Sequence, residues 1–334
     1  MKRVKQIEED ILNGQIRPIY FLMGEESFYI DRITQIIENK VLKEEEKSFN
    51  QLVLYGRDVT IEEIISNARR YPLMAERQVI IVKEAQDLSR TIENLCEYAE
   101  NPVPTTVLVI CYKYKVLDKR KKLAKIISKQ GALFESNKLY ENQVPEWINY
   151  VLKEKNYRIQ PKAALMLVEF LGNDLSRVYN ELEKLMLIVP KETAINEEHI
   201  EENIGISKDF NNFELRKALG EKNLMKAYQI AIYFSQNAKN NPLVVTISLL
   251  NNFFTQLLIY HGLHDKSRTN VGKALGINPY FVQEYMEAAG NYPMRKVSGI
   301  IGLLREADMK SKGVGANNIG QGDILKELIY KILH

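Results

Sequence analysis

The apolar positions change period once along the chain, and the change divides it. As far as Glu135, short apolar runs recur at intervals: Ile19–Met23 (IYFLM), Gln51–Tyr55 (QLVLY), Gln78–Val82 (QVIIV), Thr105–Cys111 (TTVLVIC) and Ala132–Glu135. Each has the length of a strand, and several are rich in β-branched residues. Their near-continuous apolar character predicts a mostly parallel sheet covered on both faces. Between the runs the spacing turns helical. Phe28, Ile33, Ile36 and Ile37 share one face, as do Ile61, Ile64, Ile65 and Ala68. Thr60 stands where an N-cap belongs, with Glu63 three residues on as its capping-box partner. Ser89–Ala99 and the basic Lys119–Lys129 also read as helices.

From about Glu141 the strand pattern ends. Val144, Trp147, Ile148, Val151 and Leu152 follow helical spacing. Pro161 opens a second helix that ends near Gly172, Asn173 or Asp174 caps a third, and Glu197–Asn203 forms a short fourth. From about Asp209 longer apolar patterns run over Phe213–Ala218, Ala227–Phe234, Pro242–Leu263 and Lys296–Lys310. A loop is expected over Gly313–Gly322, which holds four glycines, and a last helix over Asp323–Leu333. The expected organisation is therefore α/β plus all-α: residues 1–140, 141–208 and 209–334. That length suits two or three domains.

Composition narrows the function. The 46 Lys and Arg against 43 Asp and Glu leave a net charge of +3, which argues against DNA as the main partner, because phosphate neutralisation supplies most of the affinity of proteins that grip DNA alone. Two cysteines, Cys96 and Cys111, with no CxxC spacing, argue against a disulfide framework and a cysteine zinc site and fit a reducing cytosol. The amino-terminal stretch lacks an apolar h-region, and no run of 18 apolar residues occurs, so neither a signal peptide nor a membrane span is expected.

Catalytic chemistry is hard to find. The strand–turn–helix IYFLMGEESFYIDR sits where a P-loop would be, yet Glu25 and Glu26 follow Gly24 in the phosphate position and no GK[ST] occurs anywhere. The strand QVIIV, in the place of a Walker-B strand, runs into Lys83 and then Glu84. A degenerate nucleotide site follows, with no nucleotide or metal cofactor expected and no ATP hydrolysis. His261–Asp265 (HGLHD) reads as ordinary helix-end residues rather than a metal site, and neither GxSxG nor HExxH is present. Lys113–Lys125, with seven Lys or Arg, is a solvated helix face or a contact for DNA or an acidic partner. In Arg69–Gln78 (RRYPLMAERQ), Pro72 ends the helix before it, and Leu73 and Met74 lie in a polar connection. The residues alone leave two readings of that pair: an exposed apolar anchor, or side chains tucked under the sheet.

Taken together, PIYFLMGEESFYIDRI (18–33), YPLMAERQVIIVKEAQDL (71–88), TTVLVICYKYKVLDKRKKLAKII (105–127), GNDLSRVYNELEKL (172–185) and EADMKSKG (306–313) resemble the delta-subunit family of the bacterial DNA polymerase III clamp loader, a non-catalytic branch of the AAA+ structural family. The resemblance implies an AAA+-like α/β domain (1–140), a helical lid (141–208) and an oligomerising collar (209–334). It implies a cytoplasmic replication subunit working with tau/gamma and delta-prime subunits, the sliding clamp (beta subunit) and, through the complex, primed DNA. No intrinsic catalysis is implied, although the surrounding holoenzyme is a DNA-directed DNA polymerase, a nucleotidyltransferase. It further implies that Leu73 and Met74 insert into an apolar pocket on the clamp, with Met74 standing where relatives often carry an aromatic. The delta-prime paralogue, which would show a cysteine zinc module and a Ser-Arg-Cys motif, and an active AAA+ ATPase fit this sequence less well.

Overall fold

The computed structural model describes residues 2–205, 207, 209–314 and 319–334. The chain folds as two compact units, Met1–Leu139 and Tyr140–His334. The expected boundary at 208 and the middle of the expected loop 313–322 lie outside the described residues.

The first unit holds strands β1 (Ile19–Gly24), β2 (Gln51–Tyr55), β3 (Gln78–Lys83), β4 (Thr106–Lys113) and β5 (Ala132–Ser136). Its helices are α1 (Lys2–Leu12), α2 (Ser27–Lys40), α3 (Glu44–Asn50), α4 (Ile61–Ala68), α5 (Cys96–Ala99) and α6 (Lys122–Gln130). Every strand pairing is parallel, in the order β2-β3-β4-β1-β5, which gives the parallel sheet that the apolar runs predict. The three inner strands are buried along almost their whole length, whereas the edge strand β2 is only half-buried. One face of the sheet packs Phe21, Ile80, Leu108 and Ile110 against Ile61, Ile64, Leu123 and Ile127 from α4 and α6. Fully burying one such aliphatic side chain contributes roughly 1.5–3 kcal/mol.

Two helices depart from expectation. Residues 85–99 form the 3₁₀ turns Ala85–Leu88 and Ile92–Leu95 followed by the single turn α5, rather than one helix over Ser89–Ala99. The buried positions Ala85, Leu88, Ile92, Leu95 and Tyr98 fall mostly three apart, the repeat of a 3₁₀ helix, and Ser89, Thr91 and Asn94 are weak helix formers. Helix α6 begins at Lys122 instead of Lys119, because Asp118 accepts from the Arg120 amide at 2.9 Å and closes a turn just before it. The predicted cap at α4 is present: the Glu63 amide donates to Thr60 Oγ1 at 3.3 Å and the Thr60 amide to Glu63 Oε2 at 2.8 Å.

The second unit is helical: α7 (Val144–Glu154), α8 (Pro161–Leu171), α9 (Leu175–Ile188), α10 (Glu197–Ile204), α11 (Asn212–Gly220), α12 (Leu224–Gln236), α13 (Leu243–Gly262), α14 (Arg268–Leu275), α15 (Val282–Asn291), α16 (Met294–Ser311) and α17 (Gln321–Leu333). Helices α11 to α17 share one apolar core built around Phe234, Phe254, Leu257, Tyr285, Tyr292 and Ile329. By length and hydropathy α13 matches a membrane-crossing helix, but its Ile247, Leu250, Phe253, Phe254 and Leu257 are buried in that core.

Candidate functional site

At the phosphate position the first unit has used its polar groups on itself. Gly24 ends β1 with φ +122°, and a Cβ placed there would lie 2.0 Å from the carbonyl oxygen of Ser136, so only glycine fits. Only Glu25 and Glu26 separate β1 from α2. Glu26 is buried, and the Phe28 amide donates to its Oε1 at 3.1 Å. A carboxylate therefore already holds the amino end of α2, where a P-loop would present free amides to phosphate. The Glu26 amide, in turn, donates to the Ser136 carbonyl at 3.3 Å.

The carboxylate that follows β3 is paired as well. Glu84 follows β3 in the left-handed region, at φ 51°. Lys113, at the end of β4, places its Nζ 2.8 Å from Asp31 of α2 and 3.4 Å from Glu84. The Gln86 amide group donates to the other Glu84 oxygen at 2.6 Å. Gln86 and then Lys113 hold the Glu84 carboxyl below its usual range against the opposing effect of burial. Burial alone would lower Lys113, but Asp31 and Glu84 raise it on balance. An ammonium thus sits between the two carboxylates.

The remaining basic segment is largely committed to the protein's own acids. Lys119 pairs with Glu135 at 2.5 Å, Arg120 with Asp118 at 2.8 Å, Lys121 with Glu93 at 3.6 Å and Lys122 with Glu100 at 2.5 Å. The basic side chains of these pairs lie largely exposed. His261 Nε2 lies 2.8 Å from the Tyr292 carbonyl oxygen, and Asp265 accepts from the Ser267 amide at 2.8 Å. Among the described residues no group of three His, Cys, Asp or Glu is placed to hold a metal. Cys111 is buried and its thiol is pushed up to about 11 by that burial, which leaves little thiolate for chemistry.

The loop between α4 and β3 is arranged differently. Leu73 is 57% and Met74 97% exposed, so neither tucks under the sheet. Tyr71, two residues before Leu73, is 82% exposed, and Phe49 at the end of α3 is 75% exposed. Neither aromatic was singled out from the sequence, where an isolated ring carries no sign of which way it faces. The loop is nevertheless fastened. Gln78 is buried, and its side-chain amide donates to the Arg70 carbonyl and to Thr106 Oγ1 at 2.8 Å, while Thr106 Oγ1 donates to the Ala68 carbonyl at 2.9 Å. Asn50, also buried, accepts from the Leu73 amide at 2.6 Å and donates to the Leu73 carbonyl at 3.0 Å. Met74 itself takes φ 51°, a conformation that few non-glycine residues adopt. The result is an apolar group held out into solvent on a fixed backbone.

Comparison with known proteins agrees along the chain. The family described as DNA polymerase III, delta subunit, matches residues 20–137. The DNA polymerase III subunit delta of Bacillus subtilis is 24% identical over 320 residues, which cover 92% of this chain and 92% of that protein. The solved Bacillus subtilis DNA clamp loader delta protein (YqeN) shares the fold, with a TM-score of 0.56 at 22% identity over 99% of each chain. The resemblance carried by the sequence segments is borne out.

Proposed function

We propose that this chain, a relative of the DNA polymerase III delta subunits, grips the sliding clamp through Leu73 and Met74 and favours the clamp's opened form. The observation that carries the reading is the loop: two large apolar side chains exposed on a backbone fixed from both sides. Exposed apolar groups of this kind mark interaction sites, and a preformed backbone reduces the ordering cost of binding. The binding energy then shifts the clamp between closed and opened populations. Residues 1–140 form the clamp-binding domain, 141–208 the lid and 209–334 the collar that joins the tau/gamma and delta-prime subunits. In support of the collar, α12 and α13 leave Met225, Ile232, Val244 and Val245 exposed around an otherwise complete core. ATP acts in the partner subunits and primed DNA is met through the complex, in the cytoplasm.

The test is direct binding of the purified chain to immobilised sliding clamp. Saturable binding is expected, and it is expected to vanish when residues 71–77 are replaced by a glycine–serine linker. Binding that survives this replacement places the grip elsewhere.

A further inference from the structure

We propose that Asn50 is the positioning residue of the clamp-binding loop. Its carboxamide fixes the Leu73 backbone so that Leu73 and Met74 meet the clamp already arranged; this rests on the reading of that pair as the anchor.

Asn50 closes α3, 23 positions from Leu73, and is only 6% exposed although Phe49 beside it is 75% exposed. Its side chain makes three hydrogen bonds. Oδ1 accepts from the Leu73 amide at 2.6 Å, and Nδ2 donates to the Leu73 carbonyl at 3.0 Å and to the Glu46 carbonyl at 3.1 Å. Both amide hydrogens and an oxygen lone pair are engaged, and the partners themselves decide which end is nitrogen. A side chain here makes the two-way exchange that one strand makes with its neighbour. Among the described residues, no backbone-to-backbone hydrogen bond ties residues 71–77 to the rest of the chain. Gln78 secures the two ends of the loop, so Asn50 is what holds its middle.

Met74 adds a second argument. Its side chain is 97% exposed, so packing does not impose its left-handed backbone. The constraint comes from the chain on either side, and the residue before it is the one Asn50 clasps. With the clasp removed, the loop samples other conformations and must be ordered at each encounter with the clamp.

The test uses the full chain and its sliding clamp. Asn50→Ala is expected to weaken clamp binding about tenfold. The melting temperature is expected to stay close to that of the unchanged chain, and the Leu73 amide is expected to exchange faster with deuterium. In a Leu73→Ala, Met74→Ala background the same change is expected to have no further effect on clamp binding, which a general loss of structure would not reproduce. Asn50→Asp keeps the shape and the acceptor but turns two donor contacts into carboxylate–carbonyl repulsion. It is expected to bind at least as weakly as Asn50→Ala at neutral pH, and it decides the matter if Asn50→Ala melts early. Normal clamp affinity in Asn50→Asp, with binding lost in the Leu73→Ala, Met74→Ala chain, overturns the role of Asn50 and leaves the anchor standing. Equal losses from Asn50→Ala in both backgrounds show a structural role only and overturn it too. Unchanged binding in the Leu73→Ala, Met74→Ala chain removes the anchor itself.

Discussion

Two connections in the first unit do opposite things with their chemistry. In the β1–α2 turn the buried polar groups are spent internally: Glu26 caps its own helix and its amide reaches Ser136, and beside the turn Lys113 closes the gap between Asp31 and Glu84. In the α4–β3 loop Asn50 and Gln78 hold the Leu73 and Arg70 backbone, but the apolar side chains are left outside. The first arrangement satisfies the unit. The second stabilises a backbone in order to expose a side chain, which has value only when a partner covers it. Hydrogen bonding of similar quality therefore marks a closed site in one place and an open one in the other. What separates them is the apolar surface left over.

The largest expected effect falls on the open loop. Leu73→Ala with Met74→Ala should cost roughly 3–4 kcal/mol of clamp affinity, a few hundred-fold, as removal of a central anchor does. Thermal stability should hardly change, because both side chains are already in water. Titration of the clamp and a melting curve on the same preparation separate an anchor from a buried pair, whose truncation lowers the melting temperature by many degrees. Next comes the closed turn. Gly24→Ala sets a Cβ against the Ser136 carbonyl in a left-handed backbone and should destabilise the chain by about 2–4 kcal/mol in urea unfolding. A value near zero means the turn rearranges freely and that the contact with Ser136 does not require glycine.

Lys113→Met should cost less. Asp31 and Glu84 both reach solvent, so screening limits the loss to about 1 kcal/mol. Its pH dependence has a definite sign. Glu84 is held below its ordinary value by Gln86 and then Lys113, so its contribution is present above the unfolded carboxylate pKa and disappears as pH falls through the folded one. The stability gap between the two proteins should narrow from neutral pH to about pH 3, and a gap that widens contradicts the pairing. The smallest effect is none: magnesium ATP at millimolar concentration should give no heat in calorimetry and no shift in melting temperature. Micromolar affinity would reopen the phosphate site.

Much of this comparison could be read in the sequence. The five strands begin and end within two residues of the apolar runs, because inner parallel strands are buried on both faces and announce themselves by hydropathy. The Thr60–Glu63 cap and the lost GK[ST] are local in sequence, and both were legible for that reason. The exposure of Leu73 and Met74 was left open by composition, since an apolar pair in a loop packs inward or points outward with the same letters. Asn50 was not legible at all. Its partner is 23 residues away, and nothing in KSFNQL distinguishes an asparagine that ends a helix from one that clasps a distant backbone. The Lys113 site joins residues 82 and 29 positions apart, Asp31 and Glu84, and was visible only as a degraded motif. The 3₁₀ turns over 85–95 were hidden because Ala85, Leu88, Ile92 and Leu95 mix spacings of three and four, which over so short a stretch also fit an α-helix.

The ammonium of Lys113 has one more consequence. A nucleotide-driven unit alternates between two charge conditions as its metal and phosphates arrive and leave. Here the positive charge is covalently part of the chain, so Asp31 and Glu84 always have their counter-charge beside them. Under the proposed function the unit acts as the fixed jaw of a wrench, always set to the same opening, and the timing of grip and release falls to its partner subunits.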